Sequence, residues 1–228
     1  MNSAVIVAAG TGKRMKSNIN KQYIKLGDKE VVAHTVEVFD KNDNIDEIVV
    51  VVREDEEEFF VEHVLNKYNF DKSIKIAYGG NERQDSVYNG LKKVSKECNI
   101  VLIHDGARPF VSNSIINNSI EEAIDNKAVA VGVPVKDTIK VLDDNNIITS
   151  TPNRKYVWAV QTPQSFDYEL LMNSYEEAFK NDFYGTDDAM LIENMGHNVK
   201  MIMGSYENIK MTTREDLNFG EQILKSRE

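Results

Sequence analysis

The sequence predicts an α/β fold, a mainly parallel open sheet flanked by helices, with a protruding β-hairpin arm. Short Val- and Ile-rich runs occur at residues 4–8, 48–52, 74–78 and 101–104, with further apolar runs at 128–133 and 157–161. Such unbroken runs are typical of strands buried on both faces. Stretches with helical spacing alternate with them, and strand–helix alternation builds a parallel sheet. The rhythm breaks at residues 136–151, where two short extended stretches flank the turn-forming Asp143-Asp144-Asn145-Asn146. From pattern alone this is either an exposed arm or a hairpin on the sheet edge.

The helical stretches follow in order at 31–39, 56–68, 85–94 and 114–124, the last with Ser112 or Asn113 placed to cap it. Residues 168–181 form another. Residues 187–194 follow with Thr186 in the capping position, and a final helix spans 213–225. Its start, Thr213-Arg-Glu-Asp216, resembles a capping box with Asp in place of Glu. The acid-rich run from Glu54 to Glu58 reads as the solvated first turn of a helix. With no Pro/Gly/Ser linker and no repeat, residues 1–228 read as a single domain, long enough to bury a sizeable core.

Composition narrows the function classes. Net charge is -10 and the pI is near 5.0, which argues against a nucleic-acid or anionic-membrane surface. Cys98 is the single cysteine, so no internal disulfide forms and a reducing compartment is expected. Apolar runs are far shorter than a membrane span, and the N-terminal residues lack the pattern of a signal peptide. A cytoplasmic location is expected.

Against that acidic background, Val5-Ile-Val-Ala-Ala-Gly-Thr-Gly-Lys-Arg-Met15 reads as a strand feeding a glycine loop. Five bases (Lys13, Arg14, Lys16, Lys21, Lys25) and no acid lie between Thr11 and Gly27. The spacing is wrong for a P-loop, and Met15 stands where a dinucleotide fingerprint needs its third glycine. What remains is a loop whose Ala8, Ala9 and Gly10 let the backbone approach a ligand, while side chains neutralise phosphate. Arg14 supplies a planar fork of donors and Lys21 a mobile point charge, a combination suited to a triphosphate under attack.

Two further loops follow strands. In His104-Asp-Gly-Ala-Arg-Pro109, Asp105 stands past a buried strand, where it is either a hard oxygen ligand for Mg²⁺ or a turn-stabilising side chain. Arg108 beside it either binds phosphate or pairs with a carboxylate. Gly79-Gly80 permit close approach of a flat base, and Ser86 either caps the next helix or touches the ligand. The four histidines show no zinc spacing, and no Gly-x-Ser-x-Gly motif supports covalent catalysis.

These segments, together with Lys21-Gln22, Arg83-Gln-Asp-Ser-Val87, Pro134-Val-Lys-Asp-Thr138, Gln161-Thr-Pro-Gln164, Thr186-Asp187 and Asn208-Ile-Lys210, resemble the methylerythritol phosphate cytidylyltransferase family of isoprenoid precursor synthesis. The resemblance covers nearly the whole chain. It implies a Rossmann-like nucleotidyltransferase fold and transfer of CMP from CTP to a sugar-alcohol phosphate, releasing pyrophosphate, with Mg²⁺ and no covalent intermediate. Carried over residue by residue, it implies that Arg14 and Lys21 stabilise the transition state at the α-phosphorus and that Arg154 and Lys210 position the sugar phosphate. It further implies nucleotide contacts from Ala8, Ala9, Gly10, Gly80, Asn81, Ser86 and Gly106, and a metal ligand in Asp105. Thr138 and Thr186 are implied to contact the acceptor. A homodimer through the arm at 136–156 would bring Thr138 and Arg154 to the neighbour's site.

The chain departs from the family pattern at Asn20, where proline usually precedes Lys-Gln, and at Asn81, which is often an acid. Ribitol 5-phosphate cytidylyltransferases share most of these motifs. Ala8-Ala9, Gly106-Ala107 and Trp158 look more like the methylerythritol group. A catalytically silent nucleotide-binding protein on the same sheet is the alternative from another class.

Overall fold

A computed structural model describes residues 1–10 and 20–227. Its strands are β1 (Asn2–Val7), β2 (Lys25–Leu26), β3 (Lys29–Glu30), β4 (Glu47–Val52), β5 (Ile74–Tyr78), β6 (Ile100–Asp105), β7 (Ala128–Pro134), β8 (Val141–Leu142), β9 (Ile148–Ser150), β10 (Trp158–Asp167) and β11 (Lys200–Met203). The helices are α1 (Val31–Asp40), α2 (Glu57–Phe60), α3 (Arg83–Leu91), α4 (Asn113–Asn126), α5 (Tyr168–Lys180), α6 (Asp188–Asn194) and α7 (Arg214–Arg227).

Seven strands form one sheet in the order β11-β7-β10-β6-β1-β4-β5. β1 is parallel to β4 and β6, and β4 to β5. β10 alone runs against its neighbours β6 and β7. The chain lays down β1, β4 and β5 toward one edge and then returns to place β6 on the other side of β1. That reversal opens a crevice beyond the strands' carboxyl ends, the usual ligand position in open α/β sheets.

Alternation along the strands sends side chains to two cores. Ala4, Ile6, Ile48 and Val50 pack with Val36, Phe39 and Ile116 from α1 and α4, while Val5, Val49 and Val51 pack with Leu91, Leu171 and Tyr175 from α3 and α5. All six residues of β4 are buried, which is why its unbroken Ile-Val run carries no polar alternation. A third cluster joins Leu26 and Val31 to Ala107, Phe110 and Met211, covered by Leu217, Ile223 and Leu224 of α7.

Several expectations need adjustment. The helix expected at 56–68 is instead a 3-10 turn (Glu54–Glu56), then α2, then a π-helical turn over Val61–Leu65. The strand expected at 157–161 continues to Asp167, through Gln161-Thr-Pro-Gln164. Pro163, which has no N–H, falls where the register with β7 shifts between Val160 and Gln164. β11 was not expected, and only its Ile202 is buried. The cap of α6 is Asp187 rather than Thr186, its carboxylate accepting from Met190 N at 3.0 Å.

Residues 137–151 settle the choice left open for the hairpin. β8 and β9 form a separate two-stranded sheet outside the main one, and every residue from 141 to 151 is exposed. Asp143 Oδ1 accepts from the backbone N–H groups of Asn145 and Ile147, both at 2.9 Å, and Asn146 takes a left-handed φ of 62° to close the turn. Asn accepts that region more readily than most residues.

Candidate active site

A cleft of about 270 Å³ opens at the reversal between β1 and β6. Its walls are Val7, Ala8, Ala9 and Gly10 past β1, Gly80, Asn81, Glu82, Arg83 and Ser86 after β5, Asp105 and Ala107 at the end of β6, and Gln22 and Lys210. Of the residues expected in a site, Ala8, Ala9, Gly10, Gly80, Asn81, Ser86, Asp105 and Lys210 come together here. Gly106 lies directly behind, and a Cβ on it would stand 3.0 Å from that of Ala8. The glycine packs the β1 and β6 ends together but does not line the cleft. Arg14 and the Lys21 side chain lie outside the described residues.

The turn after β5 is built from backbone and one hydroxyl. Gly79 N donates to Val52 O at 2.8 Å and Gly80 N to Ser86 Oγ at 3.0 Å, while that hydroxyl donates to Glu82 O at 3.0 Å. Ser86 is therefore not the helix cap, because Glu82 and Asp85 form the capping box of α3. Instead it braces the turn and still lines the cleft. A Cβ on Gly80 would sit 2.2 Å from that of Asp85, so the turn accepts no larger residue without moving.

Asp105 anchors the electrostatics. Its Oδ2 lies 2.9 Å from Lys210 Nζ and 3.2 Å from Arg108 Nε, and its Oδ1 is 3.9 Å from Arg83 Nε. Burial alone would raise this carboxyl, but Lys210, Arg83 and Arg108 hold it well below the usual carboxylate range. Arg108 thus pairs with a carboxylate, and its other donor reaches Asn208 O at 2.8 Å. Arg83 is fixed from behind by Asp188, at 2.7 Å, whose other oxygen accepts from Tyr175. Lys210 and Arg83 are both partly exposed, at 37% and 31%, while Arg108 is 12% exposed, and Met211 N bonded to Ala107 O at 2.8 Å holds the Lys210 segment beside β6.

The residue before Asp105 is equally constrained. Asp105 N donates to Thr162 Oγ1 at 3.0 Å, that hydroxyl meets His104 Nδ1 at 3.1 Å, and His104 Nε2 meets Arg108 O at 3.1 Å. A carbonyl only accepts, so Nε2 carries the proton and Nδ1 accepts from Thr162. The ring is neutral, its pKa pushed down to about 4 by burial.

Thr138, Arg154 and Thr186 do not join the cleft. Thr138 is exposed at the start of the arm, and Thr186 is exposed in the loop before α6. Arg154 opens a 3-10 turn at the arm's base, where its guanidinium donates to Lys136 O at 2.5 Å beside a shallow hollow lined by Pro134, Val135, Asn153 and Lys155. Conversely, Gln22 and Arg83 line the cleft without having been assigned a role from sequence. Both sit inside motif segments, but their contacts are with residues remote in the chain, which spacing does not reveal. Among the described residues no three His, Cys, Asp or Glu side chains group to hold a metal.

Residues 2–226 match the family model described as IspD, 2-C-methyl-D-erythritol 4-phosphate cytidylyltransferase. A Clostridioides difficile protein named 2-C-methyl-D-erythritol 4-phosphate cytidylyltransferase is 62% identical over 224 residues, covering 98% of this chain and 94% of its own. A Caldanaerobacter subterraneus protein of the same name is 50% identical, covering 98% of each chain. In three dimensions the chain is similar to 4-diphosphocytidyl-2C-methyl-D-erythritol synthase from Anaerococcus prevotii, with a TM-score of 0.88, 38% identity, and 98% and 96% of the two chains covered. It also resembles the Francisella tularensis cytidylyltransferase, at a TM-score of 0.82 and 32% identity, covering 97% of this chain and 99% of that one. The cleft, the reversed strand order and these matches agree: the chain belongs to the 2-C-methyl-D-erythritol 4-phosphate cytidylyltransferase family.

Proposed function

We infer that this chain is a nucleotidyltransferase that moves CMP from CTP to 2-C-methyl-D-erythritol 4-phosphate, giving 4-diphosphocytidyl-2-C-methyl-D-erythritol and pyrophosphate for isoprenoid synthesis. The observation that carries the reading is the cleft at the sheet's reversal, with a glycine-lined wall for the base and a cation, Lys210, held 2.9 Å from a buried carboxylate. An oxygen of the acceptor phosphate attacks the α-phosphorus of CTP. The α–β phosphoanhydride bond breaks and pyrophosphate departs. Such a displacement needs alignment and neutralisation of growing negative charge more than it needs an acid or base. Arg14 and Lys21 provide that neutralisation, and Lys210 with Arg154 positions the acceptor phosphate. Ala8, Ala9, Gly10, Gly80, Asn81, Ser86 and Gly106 form or support the nucleotide wall.

Mg²⁺ fits Asp105 as a lone carboxylate ligand, because magnesium is commonly held by one or two carboxylates together with substrate phosphates. The depressed pKa keeps that carboxylate ionised throughout the working range. When bound, the ion would neutralise phosphate charge and fix the triphosphate's orientation.

Thr138, Arg154 and Thr186 complete the acceptor side in this reading, the first two supplied by a second copy through the arm. The exposure of Val141, Leu142, Ile147 and Ile148 on the arm supports a homodimer, since a run of uncovered aliphatic side chains is costly in water. No helix among the described residues is long and apolar enough to cross a membrane, and a cytoplasmic enzyme is proposed.

Pyrophosphate release tests the function, measured with each of the four ribonucleoside triphosphates against methylerythritol phosphate, ribitol 5-phosphate and hexose 1-phosphates. Release is expected with CTP and methylerythritol phosphate. Activity confined to ribitol 5-phosphate would replace the acceptor, and inactivity with every pair would leave a silent nucleotide-binding protein.

A further inference from the structure

The short turn that carries Lys21 is tied into the cleft by its neighbour. Lys21–Tyr23 form a 3-10 turn closed by Tyr23 N donating to Asn20 O at 2.9 Å. Gln22 is only 1% exposed, and its amide nitrogen donates to two separate elements. One bond, at 2.6 Å, goes to Ala8 O at the end of β1. The other, at 3.2 Å, goes to Glu56 Oε2 at the start of α2. Both partners are acceptors only, so the NH₂ end of the amide must face them, and no other neutral side chain of this length offers two donors from one atom. Ala8 is itself fixed, since its N–H continues the sheet to Val51 O at 2.7 Å. On the opposite side Tyr23 packs edge-on against Phe59 of α2, with ring centroids 4.9 Å apart. The aromatic contact supplies burial. The amide supplies direction.

We propose that Gln22 is a positioning residue for catalysis, a two-point clamp to Ala8 O and the Glu56 carboxylate that fixes the backbone from which Lys21 reaches the α-phosphate. The inference rests on the role assigned to Lys21 under Proposed function. Ala8 also belongs to the nucleotide wall, so one side chain registers the lysine turn against the surface on which CTP lies. A displacement of about 1 Å in such a group is enough to cost on the order of 10²-fold in rate. Losing one of two tethers should cost less.

The test is a double-mutant cycle on kcat with CTP and methylerythritol phosphate, with melting temperature and calorimetric CTP affinity measured alongside. Gln22→Met keeps the length and removes both donors. It is expected to lower kcat about tenfold while CTP affinity changes by less than about threefold. Lys21→Ala alone is expected to lower kcat by about 10²–10³-fold, the usual scale for a transition-state charge donor. In the Lys21→Ala background, Gln22→Met should then cost nothing further, because a clamp has no effect once the group it positions is gone. Glu56→Gln, which still offers an acceptor, should stay within about twofold of the parent, and Glu56→Leu, which removes one tether and leaves the bond to Ala8 O, should lower kcat by less than Gln22→Met does, about threefold. An equal tenfold loss in both backgrounds, or a loss that tracks melting temperature, would overturn the clamp and leave Gln22 a structural residue. A fully active Lys21→Ala enzyme would overturn both the clamp and the reading beneath it.

Discussion

Burial holds His104 as the neutral ring, in which Nε2–H donates to the Arg108 carbonyl and Nδ1 accepts from the Thr162 hydroxyl. Its burial lowers the pKa from 6.5 to about 4. A depressed folded-state pKa means that the unfolded chain binds the proton first as pH falls. The stabilising contribution is whole above about pH 6.5 and is lost progressively down to about pH 4. We expect the parent protein to lose about 3 kcal/mol more than a His104→Gln variant between pH 7 and pH 4, as read by urea unfolding at each pH. Equal losses would show that the ring is not held neutral. From sequence, His104 was legible only as the end of a strand, since its partner Thr162 lies 58 residues away. Asp105 was legible as a residue of the cleft because strand-end position and residue type coincide. Of the three cations around it, Arg108 was legible as a phosphate or carboxylate partner and Lys210 through the family resemblance, whereas Arg83 had no assigned role because it reaches Asp105 only through the fold.

At the scale of elements, legibility followed local density of signal. β4 and β6, with six buried residues each, could be read directly. β11 could not, since one buried residue in four leaves no period to detect. The α6 cap went to the wrong neighbour because Thr186 and Asp187 both have capping side chains. Asp187 wins by serving two partners at once. Its Oδ1 accepts from Met190 N, and its Oδ2 accepts at 2.8 Å from Gln164 of β10, whose Oε1 in turn accepts from Asp188 N and Ala189 N. Asp187→Ala is therefore expected to destabilise the protein by about 1–2 kcal/mol, a cap's usual worth together with the lost tie to the sheet. Thr186→Ala should change stability by less than about 0.5 kcal/mol. Denaturation midpoints at pH 7 separate the two, and the reverse order would return the cap to Thr186. The capping box of α7 was read correctly, with Thr213 Oγ1 accepting from Asp216 N at 3.2 Å and the Asp216 carboxylate accepting from Thr213 N at 2.8 Å.

Across the whole molecule, one chain holds Ala8, Ala9, Gly10, Gly80, Asn81, Ser86, Asp105 and Lys210 in one cleft, and carries Thr138 and Arg154 elsewhere, on and beneath an exposed arm. If the arm serves a second copy, inactive variants should complement. Arg154→Ala is expected to raise the KM for the sugar phosphate with little effect on CTP, and mixing it with Lys21→Ala should restore activity to a fraction of sites in exchanged dimers. No recovery after demonstrated subunit exchange would confine each site to one chain. The central claim, bond formation between the α-phosphorus of CTP and the phosphate of methylerythritol phosphate, is tested most directly by phosphorus NMR of the purified enzyme with both substrates and Mg²⁺. The account predicts paired diphosphate resonances of a new nucleotide–alcohol diester growing in step with inorganic pyrophosphate. Pyrophosphate accompanied by free CMP, or an unchanged spectrum, would contradict it.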